Sequence, residues 1–137
     1  MSQVQALSAP LGRFLIAAMF LVVGLQKISA YEGTAGYMEA MGVPSAMLPL
    51  VILLEIGGGL AIVVGWQTRL VATAFAGFSM LSAIIFHWNF ADQIQSIMFM
   101  KNFAIAGGFL FLVAHGPGAY ALDNRASTNR STAVAAE

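Results

Sequence analysis

Four runs of mostly apolar residues, 11–31, 47–66, 70–90 and 94–116, occupy most of this 137-residue chain. A helix rises about 1.5 Å per residue, so each run is long enough to cross a hydrocarbon layer about 30 Å thick. Residues that are 59% hydrophobic and only 9% charged cannot be hidden inside a soluble domain of this length. The mean hydropathy of +0.82 points the same way. The expected fold is therefore all-α, a bundle of four transmembrane helices in a single domain over 1–122, with lipid as its solvent.

Charge and composition remove several function classes. A formal net charge of zero offers no basic surface for nucleic acid. The absence of cysteine rules out disulfides, thiolate metal sites and a dithiol relay within this chain. "ISA" at 28–30 has the small residues of a signal-peptide cleavage site. No basic residue precedes Arg13, however, and Lys27 would fall in the cleavage region, so the first run is expected to remain as a span. With four spans both termini share one side. Placing them in the cytoplasm puts Arg13, Arg69, Arg125 and Arg130 inside and leaves Lys27 and Lys101 toward the outside, in keeping with the positive-inside rule. The chain is expected to cross its membrane several times. "YEGTAGYMEAMGVPSA" has room for a short surface helix from Thr34 to Gly42, whereas 123–137 lacks periodicity and is expected to be a disordered cytoplasmic tail.

Polar residues recur at helical spacing inside the runs. Arg13, Ala17, Phe20, Gly24 and Lys27 share a stripe, as do Glu55, Gly58, Ile62 and Gly65. Arg69, Thr73, Ala76, Met80, Ala83 and His87 form a third, and Lys101, Ala104, Gly108, Phe111 and His115 a fourth. Small residues let helices approach closely in lipid, so the four stripes are expected to face one another. Depth then predicts two layers. Lys27, Glu55, His87 and Lys101 fall about 5–12 Å below the outer boundary, with Asn102 beside them. Arg13, Arg69 and His115 lie near the cytoplasmic boundary, with Asp123 just beyond.

Several of these residues have a plain alternative. Arg13, Arg69 and Lys27 stand near span ends, where long basic side chains reach the interface, and His87 beside Trp88 fits an interfacial belt. Glu55 has no such stem. An acid at a helix centre costs roughly 3 kcal/mol to insert, so it must be neutral, paired or in a wet cavity. Lys27 and Lys101 are its available partners. Either the pair only ties helices together, or Glu55 belongs to a ligand site for which the following "GGG" makes room. Two lysines, one glutamate and a neutral histidine would favour an anion, a phenolate or a reduced quinone.

The order "LGRFLIAAMFLVVGLQKI", "YMEAMGVP", "LEIGGGLAIVVGWQTR" and "KNFAIAGGFLFLVAHGPGAYALD" resembles the DoxX family of small bacterial inner-membrane proteins, from about Leu11 to Asp123. The resemblance implies a four-helix membrane fold and association with quinone or thiol stress and with membrane oxidoreductases. It leaves the chemistry open. His87 and His115 lie at opposite depths, so no bis-histidine haem is expected within one chain, and no metal-ligand cluster is apparent. A quinone-linked accessory or subunit of an oxidoreductase is the leading expectation. Glu55 and His87 would handle protons, Lys27, Lys101 and Asn102 would bind the ligand, and a redox-partner protein would bring electrons. The alternatives are a small exporter of an aromatic or anionic compound, which expects a homo-oligomer, and a non-catalytic assembly partner.

Overall fold

The structure is a computed structural model that describes residues 2–136. Its elements are α1 (Gln3–Ser29), α2 (Tyr31–Ala40), a second span made of four pieces, α5 (Thr68–Phe86), α6 (Gln93–His115) and α7 (Leu122–Ala135). The second span runs through a 3₁₀ turn (Ser45–Met47), α3 (Leu48–Leu53), a π-helical segment (Leu54–Gly58) and α4 (Gly59–Val64). Four helices, Gln3–Ser29, Ser45–Val64, Thr68–Phe86 and Gln93–His115, are long and apolar enough to cross a membrane.

Local chemistry sets the ends. α1 starts earlier than its apolar run because Ser2 and Gln5 form a reciprocal capping box. The second span stops at Gly65, whose φ of 71° is left-handed. The N–H of Trp66 reaches the carbonyl of Ala61 (2.9 Å) and that of Gly65 reaches Ile62 (3.2 Å), which closes the last turn. Asp92 caps α6 by accepting from the backbone of Ile94 and Gln95. The surface helix α2 forms slightly earlier than its sequence suggests and is ended by Gly42 at φ 83°.

α1 packs along the whole second span, and α5 packs along α6. The two pairs meet on an aromatic core. Phe20, Phe75 and Phe109, one from each of three spans, are buried with ring centroids 4.5 Å (Phe20–Phe75), 4.8 Å (Phe75–Phe109) and 5.7 Å (Phe20–Phe109) apart. The second span contributes an absence of side chain: a Cβ on Gly58 would stand 2.9 Å from the Phe75 ring. Large apolar residues such as Leu15, Leu53, Leu60, Leu70 and Leu81 are exposed, as lipid-facing positions are.

Two of the stripes expected to face inward do so, the α5 stripe does so in part through Ala76 and Ala83, and the α6 stripe does not. The α1 stripe is buried at Arg13, Ala17, Phe20 and Gly24, and the second span buries Glu55 and Ile62. On α5 the buried face is Thr68, Ala72, Phe75, Ala76, Ser79 and Ala83, which leaves Arg69 and Thr73 outside. On α6 the buried residues are Ala106 and Phe109, and Lys101, Ala104, Phe111 and His115 are exposed. Where the solvent is apolar, a helix that is apolar all round carries no periodic mark of its inner face. The tail, expected to lack structure, is helical in α7 with no residue buried; side chains such as Ser127 and Thr128 bond back to its own carbonyls.

Candidate functional site

The buried charged groups and their partners form two separate clusters, one at the end of the bundle that carries both termini and one toward the far end. At the terminal end Arg13 is 1% exposed, and its two terminal nitrogens bond to backbone while its buried Nε has no partner among the described residues. Nη1 donates to the carbonyl of Val63 (3.2 Å), and Nη2 donates to those of Ala119 (3.0 Å) and Tyr120 (2.8 Å). These are orphan carbonyls at the end of one span and in the loop after another, so one side chain ties α1 to both. Gly65 has to be glycine here, because a Cβ would run into Arg13 and Ala121.

Asp123 completes this cluster. Its carboxylate accepts from the backbone N–H groups of Gln67 (2.8 Å) and Thr68 (3.0 Å), and its own N–H donates to the carbonyl of Gly65 (2.9 Å). α5 has no side-chain cap of its own after the tight turn, so Asp123 supplies one from 55 residues away and sets a negative charge on the helix N-terminus. Burial pushes the Asp123 carboxyl up, but the donors of Thr68 and Gln67 and the nearby Arg13 charge outweigh it and hold the group below its ordinary value. Arg69 lies against Gly116 at the same end, its guanidinium 3.4 Å from where a Cβ would stand.

Toward the far end, Lys27 Nζ donates to both oxygens of Glu55, at 2.8 and 3.0 Å. Glu55 is 2% exposed, whereas the Lys27 side chain is 22% exposed. Three features position this pair. Glu55 sits in the π-helical segment, where a widened turn alters the register of the span against α1. Gly24 permits the approach: a Cβ there would lie 2.7 Å from Ile56 Cγ1 and 3.1 Å from Glu55 Cβ. Lys27, one turn further along α1, reaches inward along its own stem to a carboxylate near mid-span.

The expected four-residue layer is not assembled. His87 closes α5, and its Nδ1–H donates to Gln95 Oε1 at 2.7 Å, joining the ends of α5 and α6. Lys101 is exposed on α6 and makes no hydrogen bond or ion pair among the described residues. Asn102 donates to the carbonyl of Met98 in its own helix (2.9 Å). The glycines after Glu55 are also used differently from the expectation. Gly58 accommodates Phe75 and Gly59 accommodates Leu21, while a Cβ on Gly57 would meet only Leu53 of its own helix. Gly58 and Gly59 thus serve close helix packing.

Sequence reasoning missed the π segment, the capping role of Asp123 and the carbonyl partners of Arg13. Only the first had a local signal: an acid followed by glycines, which soften a helix against a wider turn.

The DoxX family model matches residues 9–88. Over 123 residues the chain is 53% identical to "Inner membrane protein YqjF" of Escherichia coli, covering 90% of this chain and 95% of that protein. It is 34% identical over 122 residues to "Inner membrane protein YphA" of the same organism, covering 84% of this chain and 87% of that one. A shorter match, 34% over 73 residues, is to "Putative oxidoreductase CatD" of Bacillus subtilis and spans 53% of this chain and 54% of that protein. No solved structure matches the chain.

Proposed function

The chain belongs to the DoxX family and is an integral inner-membrane protein with four spans, and from that premise we propose that it is a quinone-linked accessory or subunit of a membrane oxidoreductase. The ligand head is received at Lys27 and Glu55. The observation that carries this reading is the asymmetry of the pair: a carboxylate buried in a π-helical turn holds a lysine that is itself partly open. Two of the three ammonium N–H groups serve Glu55, and the third is free for an oxygen of a quinone or phenolate. Helix distortions of this kind are frequent at functional sites, and the relative named "Putative oxidoreductase CatD" lends the redox class.

With the termini in the cytoplasm, this end of the bundle faces outward. A quinone supplies two-electron, two-proton redox chemistry when bound. This chain's contribution is to place a charge-assisted donor, Lys27 Nζ, against the ligand oxygen and to keep a proton-accepting carboxylate, Glu55 Oε1 and Oε2, in contact with that donor. Without cysteine the chain has no thiol couple of its own, so the electrons are assigned to a partner protein. The test is to extract the purified protein for quinones by mass spectrometry and to titrate it with a quinone analogue. Saturable binding that Glu55→Gln weakens by about tenfold is expected. A sample that carries no quinoid compound and binds no analogue contradicts the proposal.

A further inference from the structure

Lys101 is the one charged side chain that the fold leaves on a lipid-facing surface well inside a span. It lies eight residues into α6, about 12 Å along the helix from Gln93, within a helix long and apolar enough to cross a membrane. It is exposed and has no carboxylate or carbonyl partner among the described residues. A bare ammonium at that depth is unfavourable, and a partner of opposite charge removes the penalty.

The surface beside it is shaped to receive one. On the same face, two turns toward the terminal end, α6 and α1 stand apart around a groove of about 400 Å³. Its walls include Gly12 and Ile16 from α1 and Gly108, Phe111 and His115 from α6. A Cβ on Gly12 would meet nothing within 4 Å, and Phe111 is 70% exposed. The groove and Lys101 form one continuous strip along α6, with its cation in the half nearer Gln93.

We propose that this strip docks a transmembrane helix of a different protein, which lies in the α1–α6 groove and brings an Asp or Glu side chain to Lys101. A second copy of this chain does not meet the requirement, because Glu55 is the only acid within the four spans and it is already paired and buried. The inference goes beyond the quinone reading and stands without it. Analogue binding at Lys27 and Glu55 can fail while docking at Lys101 holds, and the reverse.

The chain has no cysteine, so single-cysteine variants report one position each. Ala104→Cys and Phe111→Cys in the full-length protein, labelled with a benzophenone in native membranes, are expected to photo-cross-link to a second protein. Leu53→Cys, 66% exposed on the second span, is the control and is expected not to. Mass spectrometry of the adduct is expected to show a spanning segment with an Asp or Glu. Lys101→Glu is expected to abolish the adduct, and replacing that partner carboxylate by Lys to restore it. Lys101→Met is expected to reduce the adduct about tenfold, at the low end of what close charge pairs contribute across protein interfaces. An adduct with twice the mass of this chain, an adduct indifferent to Lys101→Met in a normally inserted protein, or labelling of lipid alone overturns the proposal.

Discussion

The two polar clusters each contain one basic and one acidic residue, yet they are built differently. Around Arg13 and Asp123, the bonds run to backbone: three carbonyls accept from Arg13, and two N–H groups donate to Asp123. At Lys27 and Glu55, two side chains bond only to each other, on a π-helical turn, with one partner partly open. A cluster whose bonds run to main-chain groups holds helix ends together and fixes the fold. A cluster of side chains paired to each other can exchange part of its bonding for a substrate oxygen.

The contrast can be broken most sharply at Arg13. Arg13→Met leaves three carbonyls without their donor, at about 1–3 kcal/mol each, so thermal denaturation in detergent should show the largest loss of any single change described. Quinone-analogue affinity of the protein that remains folded should be unchanged. Glu55→Gln comes next. Breaking a fully buried pair costs about 3–5 kcal/mol, and the partial exposure of Lys27 brings this to about 3 kcal/mol or less. Analogue titration should register the larger effect there.

Gly24→Ala should cost about 1–3 kcal/mol, because the new Cβ meets Ile56 and forces α1 away from the π-helical segment. It should weaken analogue binding through displacement of Lys27. Gly107→Ala, where a Cβ meets nothing within 4 Å, serves as the matched change and should be neutral or slightly stabilising in the same melting assay.

The smallest effect concerns pH. The Asp123 carboxyl is held below its ordinary value in the folded protein, so its contribution to stability is fully present above the ordinary carboxylate pKa and is lost as pH falls through the lower folded value. Melting temperature followed from neutral to acid pH should therefore keep the Asp123 share until below the usual carboxylate range. Asp123→Asn should flatten that last segment of the profile.

The four spans were legible because length and hydropathy are decided along the chain. So was the pairing of Glu55, since a lone acid in lipid demands a cation and Lys27 lies on the buried face of its helix. His87 and Lys101 were drawn into the same layer by helical spacing and depth together, which group residues on one side of a helix at one height but do not say which side faces inward. The α6 stripe shows why: Lys101, Ala104 and Phe111 keep helical spacing and face outward. The role of Asp123 was illegible because a cap that acts across 55 residues leaves no mark beside the helix it caps.

Paired measurements on Lys27→Met and Arg13→Met test the central division most directly. Each purified variant is assayed for quinone-analogue affinity and for melting temperature. The account predicts that Lys27→Met loses binding with a modest change in melting, and that Arg13→Met melts far earlier while its folded fraction binds as before. Unchanged binding in Lys27→Met, or loss of affinity in folded Arg13→Met with no loss of stability, would contradict it.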